Sequence, residues 1–324
     1  MHLQRTIKRE VGCRNIGLHT GRKVAMTIKP ADVDEGIVFV RKDLAGEPRI
    51  RADVDSVCDT TLATTIGCNG ATVSTIEHLM SAFRGMGVDN AVVELDSFEV
   101  PIMDGSSQPF VSMLKGVGTL VQGRYKDLLV IEEPVAVEGE NGAVAMFLPS
   151  PEFEITYTIE YTHPAIGTQT YHMSFSDAVY EREIASARTF GFLKDVEYFQ
   201  AVGLALGGSL RNAVVLDDAG VINKGGLRSA DEFVKHKILD AIGDLSLLGM
   251  PIIGHFVAHK AGHRLNHLLL KELLRRETCW RIVSPGTSDE LKNSFRSLVI
   301  PAYGILDGVR PQASRRMPSP ISAT

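Results

Sequence analysis

The stretch VKHKILDAIGDLSLLG, residues 234–249, carries two kinds of side chain on one predicted helix. Apolar residues recur at helical spacing, at Ile238, Leu239, Ile242, Leu245 and Leu248. The polar residues His236, Asp240 and Asp244 follow one another at intervals of four, so they form a second stripe beside the apolar one. The pattern predicts a helix that packs with one stripe and offers the other as half of a functional site.

The predicted helix spans residues 229–249 and has recognisable signals at both ends. Ser229 and Glu232 have the spacing of an N-terminal capping box. Gly249 and Pro251 favour termination after the last apolar residue. These signals predict the helix independently of any role for its polar stripe.

The polar stripe has two interpretations. His236 and Asp240 lie one turn apart and are residue types that bind zinc, while Asp244 would orient a neighbouring group. The alternative is a solvated helix face with an ordinary pair between His236 and Asp240. A catalytic zinc site needs three protein ligands and an open position, so the first interpretation requires a ligand from elsewhere.

Glu77 and His78, in STIEHLMSAF, are the best source of that ligand. His78 sits in a predicted helix over residues 72–87 and is either a metal ligand or a core histidine. Glu77 could take a proton from a metal-bound water, or it could form a capping box with Ser74. The residues alone leave both alternatives open.

Three further regions have the surroundings of functional loops. His19 lies in the glycine-flanked GLHTG, and His263 directly precedes a predicted helix over residues 264–277. Each suits either anion binding or turn geometry. The apolar, glycine-broken run over residues 186–216 suits either a buried core or a slot for an apolar group.

The order of elements predicts an α+β fold. Short strands fill residues 1–70, helices follow, and strand-like runs restart near residue 124. The chain then turns helical again, with helices predicted over 177–187, 229–249 and 264–277. We therefore expect two related layers, divided near residue 124 into residues 1–124 and 125–306. The last segment, residues 307–324, is rich in Pro, Ser and Arg and is expected to be disordered.

Composition excludes several classes of protein. The 324 residues are 44% hydrophobic with a net charge of -5, and no basic cluster has interleaved aromatic residues, so nucleic-acid binding is not expected. The four cysteines form no CxxC pair, which favours a reducing cytoplasm over a disulfide framework. No run reaches the ~18 apolar residues of a membrane span.

Six motifs stand in a specific order: GLHTG, STIEHL, PIMDGSS, ARTFGF, EFVKHKILDAIGDL and GHRLN. Together they resemble the UDP-3-O-acyl-N-acetylglucosamine deacetylase family of lipid A biosynthesis, over roughly residues 3–305. The resemblance implies a zinc-dependent amidohydrolase in which two βα domains form a sandwich, with the helices packed between two sheets. The active site would lie at the interface of the domains.

The resemblance also implies a metal site and a catalytic set. It places the zinc ligands at His78, His236 and Asp240, a set that ferrous iron would also fit. It places the general base at Glu77, the histidine that stabilises charge or protonates the amine at His263, its orienting carboxylate at Asp244, and the hydroxyl that polarises the acetyl carbonyl at Thr189.

Substrate contacts follow from the same resemblance. They fall on Glu160, Tyr161, Phe190, Gly208, His19 and Lys237. Glu160 and Tyr161 stand where the family's acid and uridine-stacking aromatic are Asp-Phe, and Lys237 would lie near the nucleotide phosphates. The insert near residues 190–215, with Phe190 and Gly208, corresponds to the passage for the acyl chain.

The expected reaction is hydrolysis of the N-acetyl group of UDP-3-O-(3-hydroxyacyl)-N-acetylglucosamine, the committed step of lipid A biosynthesis. The expected protein is a cytoplasmic monomer with peripheral contact to the inner membrane. Two alternatives stay open. One is a zinc deacetylase of another acylated amino sugar, and the other is a metal-stabilised protein that binds a nucleotide-sugar lipid without turning it over.

Overall fold

The computed structural model describes residues 3–201 and 203–284. The predicted tail at 307–324, and the end of the predicted second domain, lie outside the described residues. The helices are α1 (Glu77–Gly85), α2 (Gln108–Val117), α3 (Asp177–Val179), α4 (Leu193–Ala201), α5 (Glu232–Leu245) and α6 (His263–Arg275). Among them, none combines the length and apolar character required to cross a bilayer.

The strands fall into two groups along the chain. Those before residue 118 are β1 (Leu3–Ile7), β2 (Val11–Ile16), β3 (Lys23–Pro30), β4 (Ile37–Arg41), β5 (Arg49–Arg51), β6 (Val57–Asp59), β7 (Thr65–Cys68), β8 (Ala71–Val73) and β9 (Ala91–Leu95). Those after it are β10 (Thr119–Tyr125), β11 (Leu128–Ile131), β12 (Val135–Glu138), β13 (Val144–Leu148), β14 (Phe153–Glu160), β15 (Thr168–Ser174), β16 (Phe190–Phe192), β17 (Val214–Asp217), β18 (Gly220–Val221), β19 (Ile252–His259) and β20 (Trp280–Val283).

A five-stranded mixed sheet in the order β2-β3-β9-β4-β5 dominates the first half. Strand β3 alternates, so Val24, Met26 and Ile28 enter the core while the residues between them are more exposed. Strand β9 runs antiparallel to β3 and parallel to β4, which is buried along its whole length. A small antiparallel sheet, β6-β7-β8, leads into α1.

A seven-stranded sheet dominates the second half, with β19 at its centre. Strand β19 pairs with β13, β11 and β14, and its residues alternate between buried and half-buried positions. Helices α5 and α6 pack against strands of this sheet, α5 on β14 and β15, and α6 on β12 and β13. Two smaller sheets, β1-β10 and β16-β17-β18, are the remaining sheets of the described residues.

Helices α1 and α5 pack against each other and bring the two halves of the chain together. Their approach is so close that a Cβ at Gly243 would lie 2.1 Å from the carbonyl oxygen of Glu77. Leu79 and Phe83 of α1 share one buried core with Ile238 and Ile242 of α5. This contact places the polar stripe of α5 against the start of α1.

The chain is a mixed α+β protein, as predicted, but three local predictions were wrong. Residues 71–73 form β8, so the helix predicted over 72–87 begins only at Glu77. The helix predicted over 177–187 is one α-helical turn followed by a π-helix over Tyr180–Ile184. The last apolar turn of the 229–249 helix is a 3₁₀ helix, Ser246–Leu248, and not a continuation of α5. It ends at Gly249 in the left-handed conformation, so the predicted glycine stop is confirmed.

The predicted capping box at the start of α5 was also wrong. The N-cap position belongs to Asp231 and carries no side-chain cap. The carboxylate of Glu232 instead accepts hydrogen bonds from the Arg188 side chain and from the backbone N–H of Arg228. The buried carboxylate thus forms charge-assisted bonds with the Arg188 guanidinium and accepts the Arg228 N–H, one residue before the backbone group that a capping box with Ser229 would use.

Candidate metal centre and adjoining cavities

Three side chains converge where α1 meets α5. The Nε2 atoms of His78 and His236 lie 3.4 Å and 3.3 Å from Oδ1 of Asp240. The candidate ligand atoms of the three residues all lie within 4.8 Å of one another. All three residues are buried, so the solvated-face alternative for the α5 stripe is wrong.

The hydrogen bonds around these residues leave the converging atoms free. Oδ2 of Asp240 accepts a bond of 2.7 Å from Nζ of Lys237, whereas Oδ1 is buried and has no partner among the described residues. Nδ1 of His236 lies 3.1 Å from the Ala187 carbonyl, and donation there leaves the Nε2 lone pair available. Burial also lowers the pKa of His236 to about 3, so its imidazole is neutral.

This donor set fits a divalent cation. Two imidazole nitrogens and one carboxylate oxygen are ligands that zinc takes in catalytic sites, and ferrous iron accepts the same types. A buried carboxylate oxygen without a donor costs free energy unless a cation binds it. The three residues could therefore hold one metal ion.

Glu77, the first residue of α1, lies beside this cluster with 3% of its surface exposed. Its Oε2 accepts a bond of 3.1 Å from the Thr64 backbone N–H. Burial raises the pKa of Glu77, an effect that the nearby charges of His263 and His78 partly oppose. Ser74 bonds to Thr65 instead of capping α1, so the capping-box alternative is wrong. Glu77 is thus a buried carboxylate with the raised pKa expected of a general base.

His263 faces Glu77 from the first turn of α6. Its Nε2 lies 4.0 Å from Oε1 of Glu77, and its Nδ1 lies 2.9 Å from Oδ2 of Asp244. Burial disfavours the imidazolium, but the charge and hydrogen bond of Asp244, together with Glu77 and Asp240, raise the pKa of His263 to about 9. The pair provides a cationic proton donor next to a carboxylate.

Two residues of this network were missed in the sequence. The Thr64 hydroxyl donates to Oδ1 of Asp244 at 2.6 Å, and Nδ2 of Asn266 donates to Oδ2 at 2.8 Å. Asn266 follows His263 by three residues, a helical spacing that could have indicated a shared face. Thr64 lies in TTLATT, where no local pattern distinguishes it.

A large cavity of about 700 Å³ adjoins the metal centre. Its walls include five residues that the resemblance assigned to the reaction or the substrate, namely His19, Tyr161, Thr189, Phe190 and Gly208. Apolar side chains of α4 and β17 supply much of the rest, including Val196, Phe199 and Val215. The predicted slot at 186–216 therefore forms part of a cavity wall and is not simply a filled core.

Phe190 connects the cavity to the metal centre. Its ring centroid lies 6.2 Å from that of His236 and 5.7 Å from that of Tyr161. Thr189 is fixed by its backbone, since its N–H donates to the Gly105 carbonyl at 2.7 Å and its own carbonyl accepts from Val214. Substrate groups in the cavity would therefore lie against residues adjacent to the metal ligands.

His19 and Glu160 differ in how they are held. Both ring nitrogens of His19 are buried without a partner among the described residues, and burial lowers its pKa despite the opposing charge of Glu99. Glu160 has an exposed side chain that pairs with Lys260, and the pairing lowers its pKa. His19 is thus a neutral group on the cavity wall, whereas Glu160 lies outside that wall.

A second cavity of about 480 Å³ lies against His263. Lys260 and Arg264 line it together with Glu138 and Glu140. Leu62, which has a left-handed φ of 66°, lines both this cavity and the larger one. The loop that contains Thr64 therefore lies at the boundary between the two cavities.

The chain is similar to known proteins over most of its length. The family model described as UDP-3-O-acyl N-acetylglycosamine deacetylase matches residues 4–275. A UDP-3-O-acyl-N-acetylglucosamine deacetylase of Syntrophus aciditrophicus is 56% identical over 317 residues, which cover 95% of this chain and 99% of that protein. Proteins of the same name from Myxococcus xanthus and Chromohalobacter salexigens are each 48% identical, covering 89% and 87% of this chain and 91% and 93% of their own.

Proposed function

Because the chain belongs to the UDP-3-O-acyl N-acetylglycosamine deacetylase family, we propose that it hydrolyses the N-acetyl group of UDP-3-O-(3-hydroxyacyl)-N-acetylglucosamine. The products are acetate and the free amine, and the reaction is the committed step of lipid A biosynthesis. The observation that carries the proposal is the convergence of His78, His236 and Asp240 beside Glu77 and the pair of His263 and Asp244.

His78, His236 and Asp240 would hold the metal, which we propose to be zinc, with ferrous iron as the alternative. When bound, such a cation supplies Lewis-acid chemistry, lowering the pKa of water and polarising a carbonyl group. Lys237 supports the metal ligands, because its hydrogen bond to Oδ2 of Asp240 orients that carboxylate.

The side chains of this chain account for the proton transfers. Glu77 accepts a proton from the attacking water while the water oxygen bonds to the acetyl carbon. The Thr189 hydroxyl donates a hydrogen bond to the developing oxyanion. His263, held cationic by Asp244, stabilises the charge or donates a proton to the sugar nitrogen as the C–N bond breaks. Glu77 is the alternative donor for that second transfer, because it has just gained a proton.

The substrate would occupy the adjoining cavities. The acyl chain would lie along the apolar wall of the 700 Å³ cavity, with Phe190 and Gly208 in the passage. Tyr161 would stack on the uracil ring, while His19 and Lys237 would approach the diphosphate. Glu160 would act on the nucleotide from the rim, next to Lys260.

We further infer a division into two βα domains, residues 1–124 and 125–306, with helices between the two main sheets. The contact between α1 and α5, and the packing of α5 and α6 on the second sheet, support this arrangement. Cytoplasmic location, a monomeric state and peripheral membrane contact stay predictions from the sequence.

Acetate release from UDP-3-O-(3-hydroxyacyl)-N-acetylglucosamine tests the proposed function. The purified chain is assayed as isolated, after chelation, and after addition of zinc or of ferrous iron under anaerobic conditions. We expect activity to disappear on chelation and to return with metal. A metal-loaded chain that binds this substrate without releasing acetate would favour the binding-protein alternative, and release only from an acylated amino sugar without UDP would favour the other deacetylase.

A further inference from the structure

Thr64 occupies an unusual position for a residue outside the catalytic set. It is 2% exposed and lies in the loop between β6 and β7. Its carbonyl, its N–H and its hydroxyl each form a hydrogen bond to a residue at or beside the site. Its carbonyl accepts from the N–H of Ile76, the residue that precedes α1. Its N–H and its hydroxyl donate hydrogen bonds to side chains of the site.

The N–H and the hydroxyl of Thr64 contact two different carboxylates. The N–H donates to Oε2 of Glu77 at 3.1 Å, and the hydroxyl donates to Oδ1 of Asp244 at 2.6 Å. Glu77 belongs to α1 and Asp244 to α5, so one residue joins the two helices at the point where they meet. Each bond leaves the other oxygen of its carboxylate directed toward His263.

We propose that Thr64 is a positioning residue that fixes the Asp244 carboxylate, and through it His263, relative to Glu77. The proposal rests on the proposed function, since it concerns the same proton transfers. Among the described residues, the Thr64 hydroxyl is the one donor to Oδ1 of Asp244. Without it, a carboxylate oxygen in a residue 2% exposed would lack a donor, and the carboxylate would be free to rotate.

The rotation matters because Oδ2 of Asp244 already serves two donors. His263 Nδ1 lies 2.9 Å from it, and Asn266 Nδ2 donates to it at 2.8 Å. A turn of the carboxylate that satisfies Oδ1 would lengthen one of these bonds. The imidazole would then move relative to Oε1 of Glu77, and misplacement of a catalytic group is costly to rate.

Valine and serine at position 64 separate this role from simple packing. Thr64→Val keeps the methyl group and the backbone N–H but removes the hydroxyl, whereas Thr64→Ser keeps the hydroxyl and removes the methyl. We expect Thr64→Val to lower kcat by about tenfold or more, with KM little changed, since a hydrogen bond to a charged group is lost. Thr64→Ser is expected to retain most of the wild-type kcat. The opposite order of the two variants would overturn the proposal and identify packing as the role.

A double-mutant cycle tests whether Thr64 acts through Asp244. If it does, Thr64→Val has its full effect in the wild-type background and little further effect in Asp244→Asn. Independent, multiplicative effects of the two substitutions on kcat would contradict the proposal. Metal content is measured for every variant. A loss of metal in Thr64→Val equal to its loss of kcat would also contradict the proposal.

Imidazole NMR of the metal-free chain gives a readout that does not depend on turnover. The Nδ1 proton of His263, assigned by its loss in His263→Gln, should change its chemical shift in Thr64→Val and not in Thr64→Ser. An unchanged shift in both variants would overturn the positioning role. If the wild-type chain released no acetate but the NMR pattern held, the proposed function would fail while the role of Thr64 in holding Asp244 would stand.

Discussion

The metal centre and the large cavity differ in how their side chains are held. At the centre, Glu77, Asp244 and His263 are at most 10% exposed in their side chains and are bound through charged groups. At the cavity and its surroundings, Tyr198 and Leu210 are 65% and 48% exposed, and contacts are mainly apolar. A network of buried charges tolerates little displacement, whereas an apolar wall adapts to its ligand.

The comparison separates rate from affinity. Substitutions in the buried network should lower kcat or metal content, because they remove groups positioned for the transition state. Substitutions along the cavity should raise KM, because they remove contacts that substrate and transition state share. A cavity substitution that acts mainly on kcat would break this separation.

His236→Ala should have the largest effect. It removes one of three ligands from a buried site, so we expect most of the bound metal to be lost and activity to fall to background. Metal analysis and the acetate assay measure both effects. His172→Ala is the control. His172 lies on the face of the seven-stranded sheet away from α5, and its side chain is 53% exposed. This variant should keep metal and activity.

Glu77→Gln should be next, with metal retained. The amide keeps the shape of the side chain but cannot accept the water proton, so we expect kcat to fall by about 10²–10⁴-fold. Metal analysis together with steady-state kinetics distinguishes this variant from His236→Ala. Loss of metal to the same extent in both would show that Glu77 contributes to the metal site rather than to proton transfer.

Asp244→Asn should shift the pH dependence of the reaction. Asp244 raises the pKa of His263, so its neutralisation lowers that pKa. Activity that requires cationic His263 is lost as pH rises through this pKa, and the alkaline limb of kcat should therefore move to lower pH, by about one unit or more. A rate profile from pH 6 to 10 measures the shift. An alkaline limb that stays in place would assign it to another group.

The sequence placed part of the buried network together from local spacing alone, for a physical reason. His236, Asp240 and Asp244 share a helical stripe, so their proximity is encoded in local spacing. His78 joins them only through the packing of α1 on α5, which no local pattern reveals. The resemblance to a family was needed to bring those two segments together.

The capping-box errors and the missed Thr64 share a cause. The capping box predicted at Ser229, and the one considered at Ser74, are not formed because the carboxylates of Glu232 and Glu77 have tertiary partners, the Arg188 guanidinium and the Thr64 N–H. Thr64 was missed for the same reason, since its partners are distant in sequence. Local signals predicted the helices that carry the site, α1, α5 and α6, whereas long-range contacts determined the details of the site.

Tyr161→Ala should affect the cavity rather than the centre. Tyr161 lines the large cavity and packs against Phe190 and Phe192. Removal of a stacking ring should raise KM by about tenfold, while kcat changes little. Tyr161→Phe is the matched control and should behave like the wild-type chain. If kcat fell as far as KM rose, the ring would also support the transition state through Phe190 and His236.

Glu160→Gln should have the smallest effect, although Glu160 adjoins Tyr161 in the chain. Its carboxylate is exposed and pairs with Lys260 at the surface, where water and salt screen the interaction. We expect KM to change by less than about threefold and kcat to stay the same, with the difference reduced further at high salt. Parallel measurement with Tyr161→Ala gives a direct comparison of two adjacent residues. A KM rise as large as that of Tyr161→Ala would mean that substrate draws Glu160 away from Lys260 and into a buried contact, and the boundary between rim and cavity wall would then lie beyond residue 160.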